Sequence, residues 1–238
     1  MKKKLFFCIT KNYFSDYLTN SLTKANSLKD FDMEFIYVNS RSKIRRVITN
    51  FVLISFSDIF EICINILKKF GNNRVELQLT KNINDQSFID YINSKKPYLL
   101  VSLLCNQIFK KETLDDINCE VVNFHPGILP NYRGLYPNFY SIINNENYIG
   151  ITYHQINEKI DDGKIYSIKK YKLNSKSKIF KTYKKLFFNV ETIKFIEKSL
   201  INHKNAKKKL DGKGYKKLDK GRYYSYPSLR QILKYKFS

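Results

Sequence analysis

Residues 121–134 read VVNFHPGILPNYRG, and the polar side chains among them stand at spacings that chemistry can use. The chain has five prolines, eight glycines and three histidines, and this stretch holds two, two and one of them, more than a generic loop requires. On a strand, residues two apart share a face, so Asn123 and His125 point the same way while Phe124 turns to the other side. Pro126 biases His125 towards extended geometry and lacks the N–H of a central ladder, which puts both side chains at a strand's carboxyl end. Open α/β sheets bind their ligands there. A carboxylate to orient His125 and accept a proton is available in IDDGKI, where Asp161 and Asp162 precede Gly163. Arg133 offers a planar fork suited to a phosphate or a carboxylate, and equally suited to bracing its own loop through backbone carbonyls. The plain alternative is a strand end with a capped asparagine and a satisfied surface histidine, followed by an ordinary Asp-Asp-Gly turn.

These side chains need a sheet to stand on, and the hydrophobic pattern supplies one. KLFFCIT reads as a strand, YFSDYLTNSLTKA as a helix and MEFIYVNS as a strand, a βαβ beginning. RVELQLT, a helix at DQSFIDYINS, and PYLLVSLL follow, the last a continuous apolar run that suits a strand buried on both faces. A helical KKETLDDI leads into CEVVNFH, then a helix at PNFYSIINN, a strand YIGITYHQI, the Asp-Asp-Gly turn and a strand YSIKKYKL. Alternating strands and helices predict an α/β fold with a mostly parallel sheet over residues 1–175. Residues 176–238 change character: helical spacing over SKIFKTYKKLFFNVETIKFIEKSLINH, then GYKKLDKGRYYSYPS, read as a β-hairpin around DKG. Tyr223, Tyr224 and Tyr226 on that hairpin need something to pack on, either the core or a second subunit. The first glycine is Gly71, so the first strand-to-helix turn has neither a GxGxxG nor a P-loop, which disfavours dinucleotide oxidoreductases and P-loop kinases.

Length and composition narrow the class. The chain of 238 residues, 43% hydrophobic, suits one main domain with a small appendage. Cys8, Cys63, Cys105 and Cys119 are scattered without a CxxC pair, so neither a zinc site nor a disulfide framework is expected, in keeping with a reducing, cytoplasmic setting. The opening MKKKLFFCITKNYF has too short an apolar run for a signal peptide. The run VITNFVLISFSDIFEICINIL, residues 47–67, carries Asp58 and Glu61 and is read as a buried amphipathic helix rather than a membrane insertion. Its flanking KIRR and KK also fit an anionic membrane surface. A net charge of +22, from 43 basic and 21 acidic residues, attracts polyanions, yet the lysines are spread along the chain amid the Asn, Ile, Tyr and Phe abundance of an AT-rich coding sequence. A solvated basic surface is therefore favoured over nucleic-acid binding. His203, in a lysine-rich helix end, is expected in solvent, and His154 is expected to be structural.

NFHPGILPNYRG followed by GITYHQINEKIDDGKI resembles the signature of the formyltetrahydrofolate-dependent formyltransferases, with Asn, His, LPxYRG and a later Asp in this order and spacing. The resemblance covers residues 97–166 best. It implies the formyltransferase version of the Rossmann-like fold and a trio of Asn123, His125 and Asp161, with Asp162 the weaker carboxylate. It implies 10-formyltetrahydrofolate as formyl donor, bound near the backbone of Ser102, Leu103 and Leu104, with no metal. Asn123 and protonated His125 would donate to the oxygen of a tetrahedral intermediate, and Asp161 would hold His125 and help remove the amine's proton. The loop carrying Tyr132, Arg133 and Gly134 would meet the acceptor.

Among such enzymes, the YRGLYP form and the short helical tail with a tyrosine-rich hairpin resemble sugar N-formyltransferases acting on nucleotide-linked amino sugars, where such a hairpin builds a homodimer. A dTDP-4-amino-4,6-dideoxyhexose is the expected acceptor, for O-antigen or other surface-polysaccharide synthesis. Gly127 in place of the family's usual serine, and Leu103 and Leu104 in place of aromatics, depart from the pattern. The alternatives are a methionyl-tRNA formyltransferase and, from another class, a non-catalytic basic RNA-binding protein on the same fold.

Overall fold

The apolar run after the first lysines forms strand β1 (Lys3–Thr10), which lies in mid-sheet. In the computed structural model, which describes residues 2–39, 44–55, 58–62, 64, 78–174, 177–212 and 221–237, Leu5, Phe7 and Ile9 enter one core cluster and Phe6 and Cys8 another. A strand that feeds two cores has no solvent face and must be apolar throughout. The chain continues with α1 (Ser15–Thr23), β2 (Phe31–Val38), α2 (Ile44–Leu53), β3 (Gln78–Thr80), α3 (Gln86–Lys95), β4 (Leu99–Leu103), α4 (Lys111–Asp116) and β5 (Glu120–His125). Then come β6 (Arg133–Gly134), α5 (Pro137–Ile143), β7 (Tyr148–Gln155), β8 (Ile165–Lys172), α6 (Ile179–Phe187), α7 (Val190–Ile201), α8 (His203–Gly212), β9 (Tyr223–Tyr224) and α9 (Leu229–Lys236).

The sheet has the order β3-β2-β1-β4-β5-β7-β8. Strands β1 to β5 pair in parallel, and β7 and β8 extend the sheet antiparallel. The chain first winds outward from β1 to β3 and then resumes on β1's other side at β4, so the winding reverses between β1 and β4. That reversal opens a crevice beyond the carboxyl ends of the strands, and Thr10 at the end of β1 shares hydrogen bonds there with the side chain and backbone of Asn106. The α/β, mostly parallel reading of the sequence holds.

Three elements differ from the sequence reading. The apolar run at 47–67 is not one helix: α2 ends at Leu53, and Ser55 and Asp58 start the next helical stretch by capping each other, Ser55 Oγ accepting from the Asp58 N–H and the Asp58 carboxylate from the Ser55 N–H, both at 3.2 Å. Nor is α2 buried, since Ile44, Val47, Ile48 and Phe51 face outward; the end of the run, residues 65–67, lies outside the described residues. In the tail, the first arm of the expected hairpin and the first two residues of its DKG turn also lie outside them. Its later arm, β9, pairs parallel with β6, and Tyr224 stacks on Tyr140 and Tyr132, with centroids 4.0 Å and 5.6 Å away. Helix α9, unforeseen, starts with a full capping box between Ser228 and Gln231.

His203 is a further correction: it is buried rather than solvated. Its Nδ1 meets the Tyr153 hydroxyl at 2.8 Å and its Nε2 lies 3.4 Å from Glu120 Oε2, while Tyr166 and Lys207 donate to the same carboxylate. Burial opposes the charge on Glu120, but the hydrogen bonds from His203, Lys207 and Tyr166 outweigh it and carry its pKa down to about 2. A depressed carboxylate pKa stabilises the fold above the ordinary value of 4.5 and loses that contribution as pH falls to about 2. His203→Ala should therefore cost on the order of 1–3 kcal/mol in urea unfolding at neutral pH. It should also flatten the acid limb of the stability curve; a stability curve unchanged at both ends would refute the linkage.

Candidate active site

His125 ends β5, and the loop after it folds back beneath the ring. Thr152 on β7 organises this return, accepting the Leu129 N–H at 3.1 Å and donating to the Gly127 carbonyl at 2.6 Å. The loop then presents the Tyr132 carbonyl 2.7 Å from His125 Nε2. A carbonyl only accepts, so Nε2 carries a proton in this arrangement. Gly127 is required by the close approach: a Cβ there would lie 2.6 Å from His125 Nε2 and 2.9 Å from the Tyr132 oxygen.

The other ring nitrogen, Nδ1, lies 3.4 Å from Asp161 Oδ2. Asp161 has φ of 52°, a left-handed conformation that costs energy for a non-glycine residue and has to be held by its surroundings. Arg133 holds it. Its Nε and Nη2 donate to the Ile160 carbonyl at 3.0 and 2.8 Å, its Nη1 pairs with Asp162 at 3.0 Å, and the neighbouring Gly134 N–H donates to Asp161 Oδ2 at 2.8 Å. Of the two readings open for Arg133, the geometry favours the brace. Asp162 is engaged with Arg133, which leaves Asp161 as the carboxylate that faces His125.

Asn123 sits opposite His154 in the β5–β7 register. Its Nδ2 donates to His154 Nε2 at 3.1 Å, and His154 Nδ1 donates to the Gln155 carbonyl at 2.7 Å. Burial, followed by the charges of Asp161 and His125, which act in opposite directions, brings the pKa of His154 down to about 4. The ring is therefore neutral near pH 7, and its Nε2 lone pair fixes which end of the Asn123 amide points towards it. His154 also stands 3.6 Å from Asp161 Oδ1. The sequence reading placed His154 in the scaffold; the structure places it against two of the three expected residues. Only the antiparallel register reveals this.

Asn123, His125, His154 and Asp161 line one cavity of about 700 Å³. Ser102, Leu104 and Gly134 line it too, and Leu104 has a left-handed φ of 55°. Leu103 is expected at the folate through its backbone; its side chain is fully buried in the core, because alternate residues of β4 face opposite sides of the sheet. The Tyr132 side chain turns away from the cavity, donating from its hydroxyl to Glu146 at 2.5 Å, and serves the site through its carbonyl alone. The cavity also has an aromatic wall, Tyr136, Tyr183, Tyr223 and Tyr226, and cations at Arg46, Lys110 and Lys159. The arrangement can stabilise negative charge growing on an oxygen and can take up a proton beside it. Among the described residues, no group of His, Cys, Asp and Glu is arranged to hold a metal ion.

Residues 60–197, more than half of the chain, match the family described as formyl transferase. The bifunctional polymyxin resistance protein ArnA of Wigglesworthia glossinidia brevipalpis is 32% identical over 143 residues, 58% of this chain and 22% of that protein. The methionyl-tRNA formyltransferase of Finegoldia magna is 30% identical over 112 residues, 47% of this chain and 36% of that protein. The chain thus aligns with between a fifth and two fifths of these curated relatives' length. Among solved structures, a sugar N-formyltransferase from Shewanella sp. superposes with a TM-score of 0.61 at 20% identity, covering 98% of this chain and 87% of that one. A 4-N formyltransferase from Francisella tularensis gives 0.58 at 20%, over 98% and 86%. An N-formyltransferase from Helicobacter canadensis, solved with folinic acid and dTDP-3-aminofucose, gives 0.56 at 16%, over 94% and 71%. At these identities the likeness is one of fold.

The buried neutral histidine has a measurable consequence. With a folded pKa of about 4 against the ordinary 6.5, the unfolded chain takes up the proton first, so the contribution of His154 is intact above 6.5 and is lost as pH falls to about 4. The full effect is on the order of 3 kcal/mol. Replacing the ring in His154→Leu should flatten denaturant-derived stability between those two pH values; an unaltered slope there would show that the ring is not held neutral.

Proposed function

The chain belongs to the formyl transferase family, and from that premise we propose that it moves a formyl group from 10-formyltetrahydrofolate to the amine of a nucleotide-linked amino sugar. The observation that carries this reading is the convergence of Asn123, His125 and Asp161 on one cavity beside the winding reversal of the sheet. When bound, formylfolate supplies an electrophilic carbonyl carbon. The amide of Asn123 has two hydrogens; His154 takes one, and the second is left to donate to the formyl oxygen as the attacking amine turns it into an oxyanion. His125, with both ring nitrogens engaged inside the protein, adds positive charge at that oxygen when protonated. Asp161 accepts the proton that the amine nitrogen sheds as its bond to carbon forms, and the same group can return a proton to the departing folate nitrogen.

The cavity fits both partners in kind. Asn84 and Gln107 spend their amides holding together the wall near Ser102 and Leu104, through Ile108, Lys110, Ile83 and Lys81, so that a pterin's donors and acceptors would meet the backbone of that wall and Asn106. The tyrosine wall suits stacking against a nucleotide base, and Arg46, Lys110 and Lys159 suit a diphosphate. The neighbour solved with folinic acid and dTDP-3-aminofucose supports the same pair of ligands, and the 4-N formyltransferase likeness supports a 4-amino sugar, with dTDP-4-amino-4,6-dideoxyglucose first. Surface-polysaccharide synthesis in the cytoplasm by a homodimer completes the reading. Methionyl-tRNA formylation is the second reading, favoured by the 30% identity to the Finegoldia protein.

Incubation with 10-formyltetrahydrofolate and dTDP-4-amino-4,6-dideoxyglucose should give, by mass spectrometry, a sugar nucleotide heavier by one formyl group. His125→Asn and Asp161→Asn should each lower kcat on the order of a hundredfold or more. Formylation of charged initiator tRNA alone would establish the second reading. Salt-sensitive RNA binding with no transfer to tRNA, 3-amino or 4-amino sugars would overturn both. Gly127→Ala, which crowds His125 without removing it, should lower kcat roughly tenfold to a hundredfold with the protein still folded; undiminished turnover would mean that the loop has slack.

A further inference from the structure

Helix α2 has an outward face that nothing among the described residues covers. Ile44, Val47, Ile48 and Phe51 are 79%, 56%, 57% and 66% exposed. At 100° per residue they form one stripe about 100° wide, directly opposite Thr49 and Leu53, which the helix buries. Four large apolar side chains at positions i, i+3, i+4 and i+7 are the usual core face of an amphipathic helix, here turned outward. Phe60, in the helical stretch at 58–62, is exposed as well, at 69%.

Charge says what could cover this face. Helix α2 contains no acidic residue and carries Arg45 beside the stripe, with Arg46 on the opposite flank towards the cavity, and the sequence from residue 35 to residue 57 has no Asp or Glu at all. A second copy of the same face would bring Arg45 against its own counterpart in a chain of net charge +22, a like-charge contact that association disfavours. A surface both apolar and anionic satisfies both halves of the helix. From this geometry we infer that α2 docks the protein on an anionic lipid bilayer, lying in the headgroup boundary with its apolar stripe inserted and Arg45 at the phosphates. The helix does not cross the membrane: no helix among the described residues is long and apolar enough to do so. The cavity opens beside the docked surface, because Arg46 and Asn50 on the flank of α2 line it.

The chain has no tryptophan, so Phe51→Trp creates a single reporter in the stripe, and Tyr148→Trp, at an exposed site on β7, is its control. With vesicles of phosphatidylcholine and phosphatidylglycerol in equal parts, the Phe51→Trp emission should shift to the blue and be quenched by brominated acyl chains, and the control should do neither. Vesicles of phosphatidylcholine alone should give a weaker response. In flotation, Ile48→Glu and Phe51→Glu should each lower binding to the anionic vesicles roughly tenfold, with the circular dichroism of the unaltered chain. The inference is overturned if the reporter ignores anionic vesicles, or if its emission is already that of a buried indole without lipid. It is overturned too if the glutamate variants bind as the unaltered chain does, which would assign binding to net charge, or if they dissociate a dimer in sedimentation, which would assign the stripe to a second copy.

Discussion

Two loops far apart in sequence make the site, and the Arg133 guanidinium is the joint between them. Three of its nitrogens are spent on the Ile160 carbonyl and the Asp162 carboxylate, a fork-shaped contact that sets orientation as well as distance. Without it the turn would have little reason to keep Asp161 in a left-handed backbone conformation. The same short segment, β6, also receives β9 from the tail, and Gly134 at φ of 87° lets the Tyr224 carbonyl come close enough that a Cβ would collide with it. Loop, turn and tail are therefore one mechanical unit, and the aromatic stack of Tyr132, Tyr140 and Tyr224 closes its outer side.

Inside that frame the electrostatics are arranged around a histidine that stays uncharged. Two histidines and an aspartate lie within a few ångströms of one another, with His154 near both His125 and Asp161. If both rings were charged, their repulsion would compete with the attraction of each for the single carboxylate. Complete burial resolves the competition by keeping His154 neutral, and its Nδ1 bond to Gln155 leaves the Nε2 lone pair for Asn123. The neutral ring thus sets the orientation of the amide, while His125, at the end of its strand, is left as the ring whose proton can matter.

How much of this was legible in sequence follows from the range of each interaction. Asn123 and His125 could be read because a two-residue spacing and a proline stop are local facts, and the α/β fold because burial on both faces of a strand writes itself as an apolar run. Asp161 and Asp162 could be read as a pair from the turn they stand in, but the choice between them came from resemblance, and its physical reason, where Arg133 reaches, no spacing reveals. His154, the Tyr132 carbonyl and the burial of His203 all depend on cross-strand register or on a helix packing back across the sheet, so polarity and neighbours in sequence pointed the wrong way for His203. The break after α2 was legible in principle, since Ser55 and Asp58 stand at capping-box spacing, but an unbroken apolar run outweighed it. The helix at 229–236 carried the same kind of signal in Ser228 and Gln231.

The excess of positive charge takes on a different meaning once its placement is considered. Spread lysines on a solvated surface attract any polyanion weakly and without orientation. Arg46 is different, because α2 holds it at the cavity, while Arg45 of the same helix lies over the Tyr226 ring, 4.9 Å from its centroid. A diphosphate drawn by the general field would thus meet a fixed guanidinium beside an aromatic wall, on the helix whose outer stripe is apolar. Capture of an anionic ligand and adhesion to an anionic surface then draw on one short helix, and its unbroken lack of acidic residues serves both, since a single carboxylate on α2 would weaken each of them.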